Sequence, residues 1–301
     1  MVTDPGNEGY QCQSGRTRAR HDNLFADLPP RLTFTVDVED DGSGPDRAER
    51  MTLGLLDLLD ETQARASFFI VGELAEARSA LIRRIAAGGH ELASHGHRHE
   101  ALAITGRVRL RNELARARCV LEDITGAPVL GFRAPLFSLT PSVPWAPDLL
   151  AEAGFAYSSS VLPARNWLHG WPGAPRQPFL WSSGLLEVPV PVARLGPLAL
   201  PVLGGMYLRY LPGWDVRRLA RQLAATQGDA LWSYCHPYDL DRQARFERRK
   251  DAGPVASFFL WANRGLMERR LRALLEGRQS LPFADRIAAW RETAPRFTPA
   301  G

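Results

Sequence analysis

The chain has 301 residues, 45% of them apolar and 23% charged, with a net charge of +4. That balance suits a globular protein with a substantial core. No run approaches the ~18 apolar residues of a membrane span; the nearest, Leu185 to Leu211, is broken by prolines and by Glu187, Arg194 and Arg209. The cysteines, Cys12, Cys119 and Cys235, are too few and too far apart for a disulfide framework or a zinc ribbon. The basic residues are all arginine except Lys250 and are spread along the chain, which argues against a nucleic-acid surface.

Residues 1–30 read as a flexible or loosely docked arm. They lack the apolar stretch of a secretory signal, so the expected location is the cytoplasm, with a peripheral position at the membrane left open. Leu32 to Val36 is a first buried strand and runs into Asp37-Val38-Glu39-Asp40-Asp41. Arg47 to Thr62 has helical apolar spacing at Met51, Leu55, Leu58 and Leu59. Ala66 to Val71 is a second strand, and Glu73 to Ala87 a second helix, stopped by Gly88-Gly89. Glu91 to Ala93 is a third strand, followed by Ser94-His95-Gly96-His97-Arg98-His99. Arg107 to Thr125 is a long amphipathic helix closed by Gly126.

Val129 to Phe132 is a fourth strand that leads into Arg133-Ala134-Pro135. A helix from Pro147 to Ala153 and a strand from Phe155 to Tyr157 follow, then a Trp/Pro/Gly-rich loop from Pro163 to Trp181. Leu185 to Val190 is a sixth strand, Asp215 to Thr226 a helix, and Ala230 to Cys235 a seventh strand ending at His236-Pro237. Helices are expected over much of Val255 to Glu276. Strands alternating with helices predict a parallel α/β barrel, with residues 31–240 as the barrel domain and 241–301 as a mainly helical extension.

The polar motifs fall at the C-terminal ends of the expected strands, which in such a barrel converge on one face. Histidines four apart, His95 and His99, can share one cation, and residues two apart on a strand, Asp37 and Glu39, share a face. Two imidazoles and a carboxylate leave an open position for water on zinc. One acid can then hold the cation while the other takes a proton from the attacking water. Asp40 is a substitute ligand, although alternation turns it away. Arg133, before a proline at a strand end, is placed to orient Asp37, and His236 is a candidate general acid for a departing amine. His97 reads as supporting or solvent-facing, His90 as packing, and His169 as an exposed loop residue. Trp145, Trp167, Trp171 and Trp181 crowd the same side; they are either packing or a platform for sugar rings.

The ordered set Phe34-Thr35-Val36-Asp37-Val38-Glu39-Asp40, Gly89 to His99, Gly131-Phe132-Arg133-Ala134-Pro135, Gly154 to Ser160, Gly204 to Arg209 and His236-Pro237 resembles the polysaccharide deacetylase (NodB-homology) family. It is most similar to the exosortase-associated branch and spans roughly residues 31 to 280. The resemblance implies a distorted (β/α)₇ barrel and a divalent metal, zinc above others. It implies Asp37 as base, Glu39, His95 and His99 as ligands, Arg133 steadying the base, and His236 as acid. It further implies that the backbone N–H of Leu136 helps hold the oxyanion; Trp167, Trp171 and Tyr207 are candidate substrate contacts. The expected reaction is removal of the acetyl group from N-acetylhexosamine units of a polymer or a lipid-linked oligosaccharide; the oligomeric state is open. Two rival readings stand beside it: hydrolysis of a small cyclic ureide or amide on the same fold, and a non-catalytic carbohydrate-binding protein. A groove lined by Trp167 and Trp171 points to sugar chains, and a small closed pocket to ureides.

Overall fold

The computed structural model describes residues 23–299 apart from 41, 43, 166–168, 247 and 249–252. Its strands are β1 Arg31–Val38, β2 Ala66–Ile70, β3 Glu91–Ser94, β4 Gly131–Phe132, β5 Tyr157–Ser158, β6 Phe179–Leu180, β7 Leu186–Glu187, β8 Ala193–Leu195, β9 Leu198–Leu200, β10 Trp232–Cys235 and β11 Gln279–Ser280. The helices are α1 Pro45–Glu61, α2 Gly72–Ala77, α3 Ser79–Ala87, α4 Leu102–Thr105, α5 Arg107–Thr125, α6 Ala146–Glu152, α7 Gly205–Tyr210, α8 Gly213–Gln227, α9 Pro254–Trp261, α10 Met267–Leu275 and α11 Ile287–Thr293.

The main sheet runs β10-β1-β2-β3-β4-β5-β7-β6. Every neighbouring pair from β10 through to β7 is parallel, and these are the strands expected from the sequence. The sheet curls into a distorted (β/α)₇ barrel. Between its two ends the Trp232 indole donates to the Pro189 carbonyl at 3.0 Å, which links β10 to the segment after β7. The strands not anticipated are the antiparallel partner β6, the β8–β9 hairpin and β11, which extends β1 from the C-terminal region. No helix of the described residues is long and apolar enough to cross a membrane.

Period-two alternation sorts the barrel strands into two faces. On β1, Phe34, Val36 and Val38 join the large core beneath the helices, while Thr33, Thr35 and Asp37 turn the other way. On β2, Phe68 packs outward and Phe69 inward. The inner core gathers Phe69, Tyr157, Leu186, Trp232 and Tyr234 with Phe283 and Trp290 from the C-terminal region. Phe283 and its neighbours therefore fill one end of the barrel and leave the polar strand ends at the other.

Two expectations need correction. Residues 23–30 of the expected arm are docked: Phe25 is fully buried, and the Asn23 side-chain amide donates to the Ala273 carbonyl at 2.9 Å. The remainder of the arm lies outside the described residues. The helix expected over Glu73 to Ala87 is two helices, broken at Arg78 (φ −136°). The cause is tertiary. The start of α2 is pinned to the histidine motif by Gly72 N–H to Gly96 O (2.9 Å) and Glu73 N–H to His97 O (3.0 Å). Gly72 is required there, because a Cβ on it would lie 2.5 Å from His97 Nδ1.

Candidate active site

Arg133 organises the floor of the site. It is fully buried, and its guanidinium lies over the Phe69 and Trp232 rings at 3.9 and 4.6 Å. Its Nη1 donates to Asp37 Oδ1 at 2.6 Å and to Thr35 Oγ1 at 2.9 Å; its Nε and Nη2 donate to the carbonyl and hydroxyl of Ser159, both at 3.1 Å. A fixed guanidinium fork with these acceptors sets the Asp37 carboxylate in one orientation. The serines after β5 join this network: Ser159 braces Arg133, and Ser160 Oγ accepts the Ala134 N–H at 2.8 Å.

The second feature is a group of possible cation ligands. Ligand atoms of Glu39, His95 and His99 all lie within 4.8 Å of one another. His95 Nδ1 sits 2.9 Å from the Arg133 carbonyl, so Nδ1 carries the hydrogen and Nε2 presents its lone pair. That Nε2 is 3.6 Å from Glu39 Oε2, and His99 Nε2 makes a very short contact with the same oxygen. Burial alone would raise the Glu39 carboxyl, yet the imidazoles of His99 and His95 hold it well below its ordinary range. Burial likewise disfavours charge on His99, but Glu39 beside it raises its pKa. A buried carboxylate facing two imidazoles, one with its tautomer fixed by a main-chain carbonyl, fits a divalent cation; the N₂O donor set suits zinc. Tyr238 Oη donates to the other Glu39 oxygen at 3.1 Å. Asp40 is exposed and accepts the N–H groups of Gly42 and Gly44, both at 2.9 Å, so it shapes the loop and not the cluster.

His236 stands at the end of β10. Its Nδ1 lies 3.2 Å from Asp239 Oδ2, and its ring stacks on Tyr238 at 4.7 Å. Burial works against protonation, but Asp239, Glu39 and Asp37 outweigh it and raise the His236 pKa to about 9. Asp239 is itself buried and contacts Arg209 Nε at 3.4 Å. Burial would raise its carboxyl, while His236 and Arg209 hold it low. Arg209 Nη1 in turn donates to the carbonyls of Leu260 and Ala262 at the end of α9, at 3.1 and 3.2 Å. Asp239, Arg209 and Tyr238 were not identified as site residues from the sequence. The spacing His236-x-x-Asp239 is that of a capping box, which the structure forms and which was the available signal.

The expected substrate contacts divide. Leu136 is exposed and bent into the left-handed region (φ 60°), directly after Pro135. Tyr207, on α7, is half-buried and near Tyr234; burial first, then Tyr207, Asp37 and Asp239, push the Tyr234 hydroxyl up. Gly204 makes this approach possible, since a Cβ on it would lie 1.9 Å from the Tyr234 ring. Trp171 is a correction. It is 5% exposed and packs on Trp181 and Phe297 at 5.1 and 6.2 Å, so its ring is part of a core rather than a platform. Trp167 lies outside the described residues. His97 is buried rather than solvent-facing, and His90 accepts the Ala66 N–H at 3.2 Å, its pKa pushed down to about 4 by burial. The Cys235 thiol is buried and its pKa pushed up, which makes it inert.

Residues 32–157 match the family model "Polysaccharide deacetylase", and residues 159–288 match "Domain of unknown function (DUF3473)". The chain carries a polysaccharide deacetylase domain joined to a DUF3473 domain. The deacetylase domain holds Asp37, Glu39, His95, His99 and Arg133; the DUF3473 domain holds Arg209, His236 and Asp239. The chain is 34% identical over 140 residues to a chitooligosaccharide deacetylase of Sinorhizobium fredii, covering 45% of this chain and 58% of that protein. It is 32% identical over 92 residues to a peptidoglycan-N-acetylglucosamine deacetylase of Bacillus cereus, covering 31% and 33%. The match thus spans less than two thirds of these relatives. Among solved structures, one ascribed to a polysaccharide deacetylase of Mycobacterium smegmatis superposes with a TM-score of 0.59 at 22% identity, covering 90% of this chain and 94% of the other. The allantoinase PuuE superposes with a TM-score of 0.59 at 17% identity, covering 89% and 92%. Both likenesses speak to the fold alone.

Proposed function

We propose that the protein removes the acetyl group from N-acetylhexosamine units of a polysaccharide or its lipid-linked precursor, by metal-dependent hydrolysis of the amide C–N bond. In this reading Glu39, His95 and His99 hold a divalent cation, zinc by the nature of the donors. When bound, it supplies Lewis acidity at the acetyl carbonyl and makes water a better nucleophile. Asp37, oriented by Arg133, takes the proton from the water as its oxygen attacks the carbonyl carbon. The Leu136 N–H, in the left-handed turn after Pro135, is the donor to the oxygen that gains charge. His236 gives a proton to the amine nitrogen as the C–N bond breaks, which releases acetate and an amino sugar. Tyr207 borders the sugar. The DUF3473 domain after the deacetylase domain fits the exosortase-associated branch, and so a role in exopolysaccharide synthesis.

The convergence of Glu39, His95 and His99 on one point, beside an Asp37 whose charge reaches both His99 and His236, carries the proposal. The test is acetate release from N-acetylglucosamine oligomers and lipid-linked N-acetylhexosamines. Release should stop with a chelator and return with zinc. A zinc-loaded protein that frees no acetate from any of these substrates would defeat the reading.

A further inference from the structure

One surface lies outside the machinery described so far. Helix α9 places Val255, Phe258 and Phe259 at i, i+3 and i+4, one face of a helix, and they are 68%, 50% and 41% exposed. Phe246, 47% exposed, extends this face: its ring lies 5.6 Å from Trp261 and 6.5 Å from Phe258. Four large exposed apolar side chains in one patch are more than scattered surface residues and mark a docking face. Charge points to what docks there. Of the described residues between Asp241 and α9, Arg242, Arg245 and Arg248 are exposed and cationic, and Arg242 is paired with Glu268 at 3.1 Å. Arg245 and Arg248 stand on either side of Phe246.

We propose that α9, with Arg245 and Arg248 before it, docks the protein onto an anionic lipid surface, with Val255, Phe258, Phe259 and Phe246 seated among the acyl chains. An apolar face lying in the interface beside cationic side chains supplies the two signals that stable peripheral attachment requires. The buried face and end of α9 point back to the site: the carbonyls of Leu260 and Ala262 hold Arg209, which contacts Asp239, which holds His236. Docking through α9 therefore sets the proposed acid a few residues from the membrane surface. Resting on the function proposed above, this selects a substrate class: N-acetylated sugars carried on a membrane lipid rather than free polymer.

The test uses the full chain with vesicles of phosphatidylglycerol and phosphatidylcholine, and with phosphatidylcholine alone. The protein should sediment with the anionic vesicles and be released by salt. The double variant Val255→Glu/Phe258→Glu should bind at least about tenfold more weakly, while its turnover of a soluble N-acetylglucosamine oligomer stays at the wild-type level. Should that helix variant unfold on heating well below wild type, Arg245→Glu/Arg248→Glu, outside any helix, decides instead and should lose binding likewise. Wild type that stays in the supernatant with anionic vesicles overturns the proposal, as does a variant pair that sediments unchanged. A solution dimer dispersed by Phe258→Glu also overturns it, since a second copy would then be the occupant. Vesicle binding needs no catalysis, so failure here and failure of the hydrolase reading are told apart by the soluble-oligomer assay.

Discussion

Arg133 and Arg209 are both buried, and each holds a buried carboxylate, Asp37 in one case and Asp239 behind His236 in the other, yet they are built differently. Arg133 is held by strand ends of one barrel: Asp37, Thr35 and Ser159 accept from it, and Phe69 and Trp232 enclose it. Arg209 reaches across the molecule to the last carbonyls of α9, some fifty residues later in the chain, and meets Asp239 only through Nε. The base side of the site is thus assembled within the deacetylase domain and its neighbouring strands. The acid side depends on the DUF3473 domain folding back on itself. A short-range device thus fixes Asp37, the proposed base, and a long-range one joins Asp239 and His236, the proposed acid, to the end of α9.

The contrast can be broken at several points. Asp37→Asn keeps the shape of the side chain but removes the proposed proton acceptor, and turnover of an N-acetylglucosamine oligomer should fall by about 10²–10⁴-fold; near wild-type turnover would remove Asp37 from its proposed role. Arg133→Met leaves a buried carboxylate without its cation and should cost about 3–5 kcal/mol in urea unfolding. Arg209→Met leaves Asp239 with His236 and orphans main-chain carbonyls, so its loss should be smaller, about 1–3 kcal/mol. Equal losses for the two arginines would erase the distinction drawn between them.

A finer probe is Asp239→Asn. Asp239 helps keep the His236 pKa raised to about 9. With His236 as the proposed acid, activity should need it protonated and fall as pH rises through its pKa. Losing Asp239 lowers that pKa, and the alkaline limb of the rate profile should move to lower pH; an unmoved limb would show that Asp239 does not tune His236. The smallest effect is expected from Asp40→Ala. Asp40 only caps the Gly42–Gly44 loop, so zinc content should stay at the wild-type level and turnover should change by no more than about threefold. Zinc lost in that variant would return Asp40 to the ligand set in place of Glu39.

Much of this was legible in residue order. The buried apolar runs on β1, β2 and β10, and the clean 3.6-residue pattern of α5, arise from local side-chain geometry and solvent exclusion, which period and length report directly. The strand-end motifs placed Asp37, Glu39, His95, His99, Arg133 and His236 on one face because parallel strands point their C-termini the same way. Other features were hidden for equally physical reasons. Strands of two residues such as β6 and β11 have no period of their own and exist only because a neighbour supplies hydrogen bonds. The break at Arg78 has no Gly or Pro to announce it; the histidine loop imposes it through Gly72 and Glu73. Trp171 could not be told from a sugar platform until Trp181 and Phe297 were seen to cover it.

By itself, then, the amino-acid sequence determined the alternation of strands and helices and the side chains able to do acid–base and metal chemistry, because period, branching and functional-group type are local properties. Only the tertiary structure decided that Glu39 and not Asp40 faces the histidines, that Arg209 and Asp239 stand behind His236, and that α9 turns aromatic rings outward. Those outcomes depend on which distant surfaces meet, and burial and hydrogen-bond satisfaction across the fold settle that.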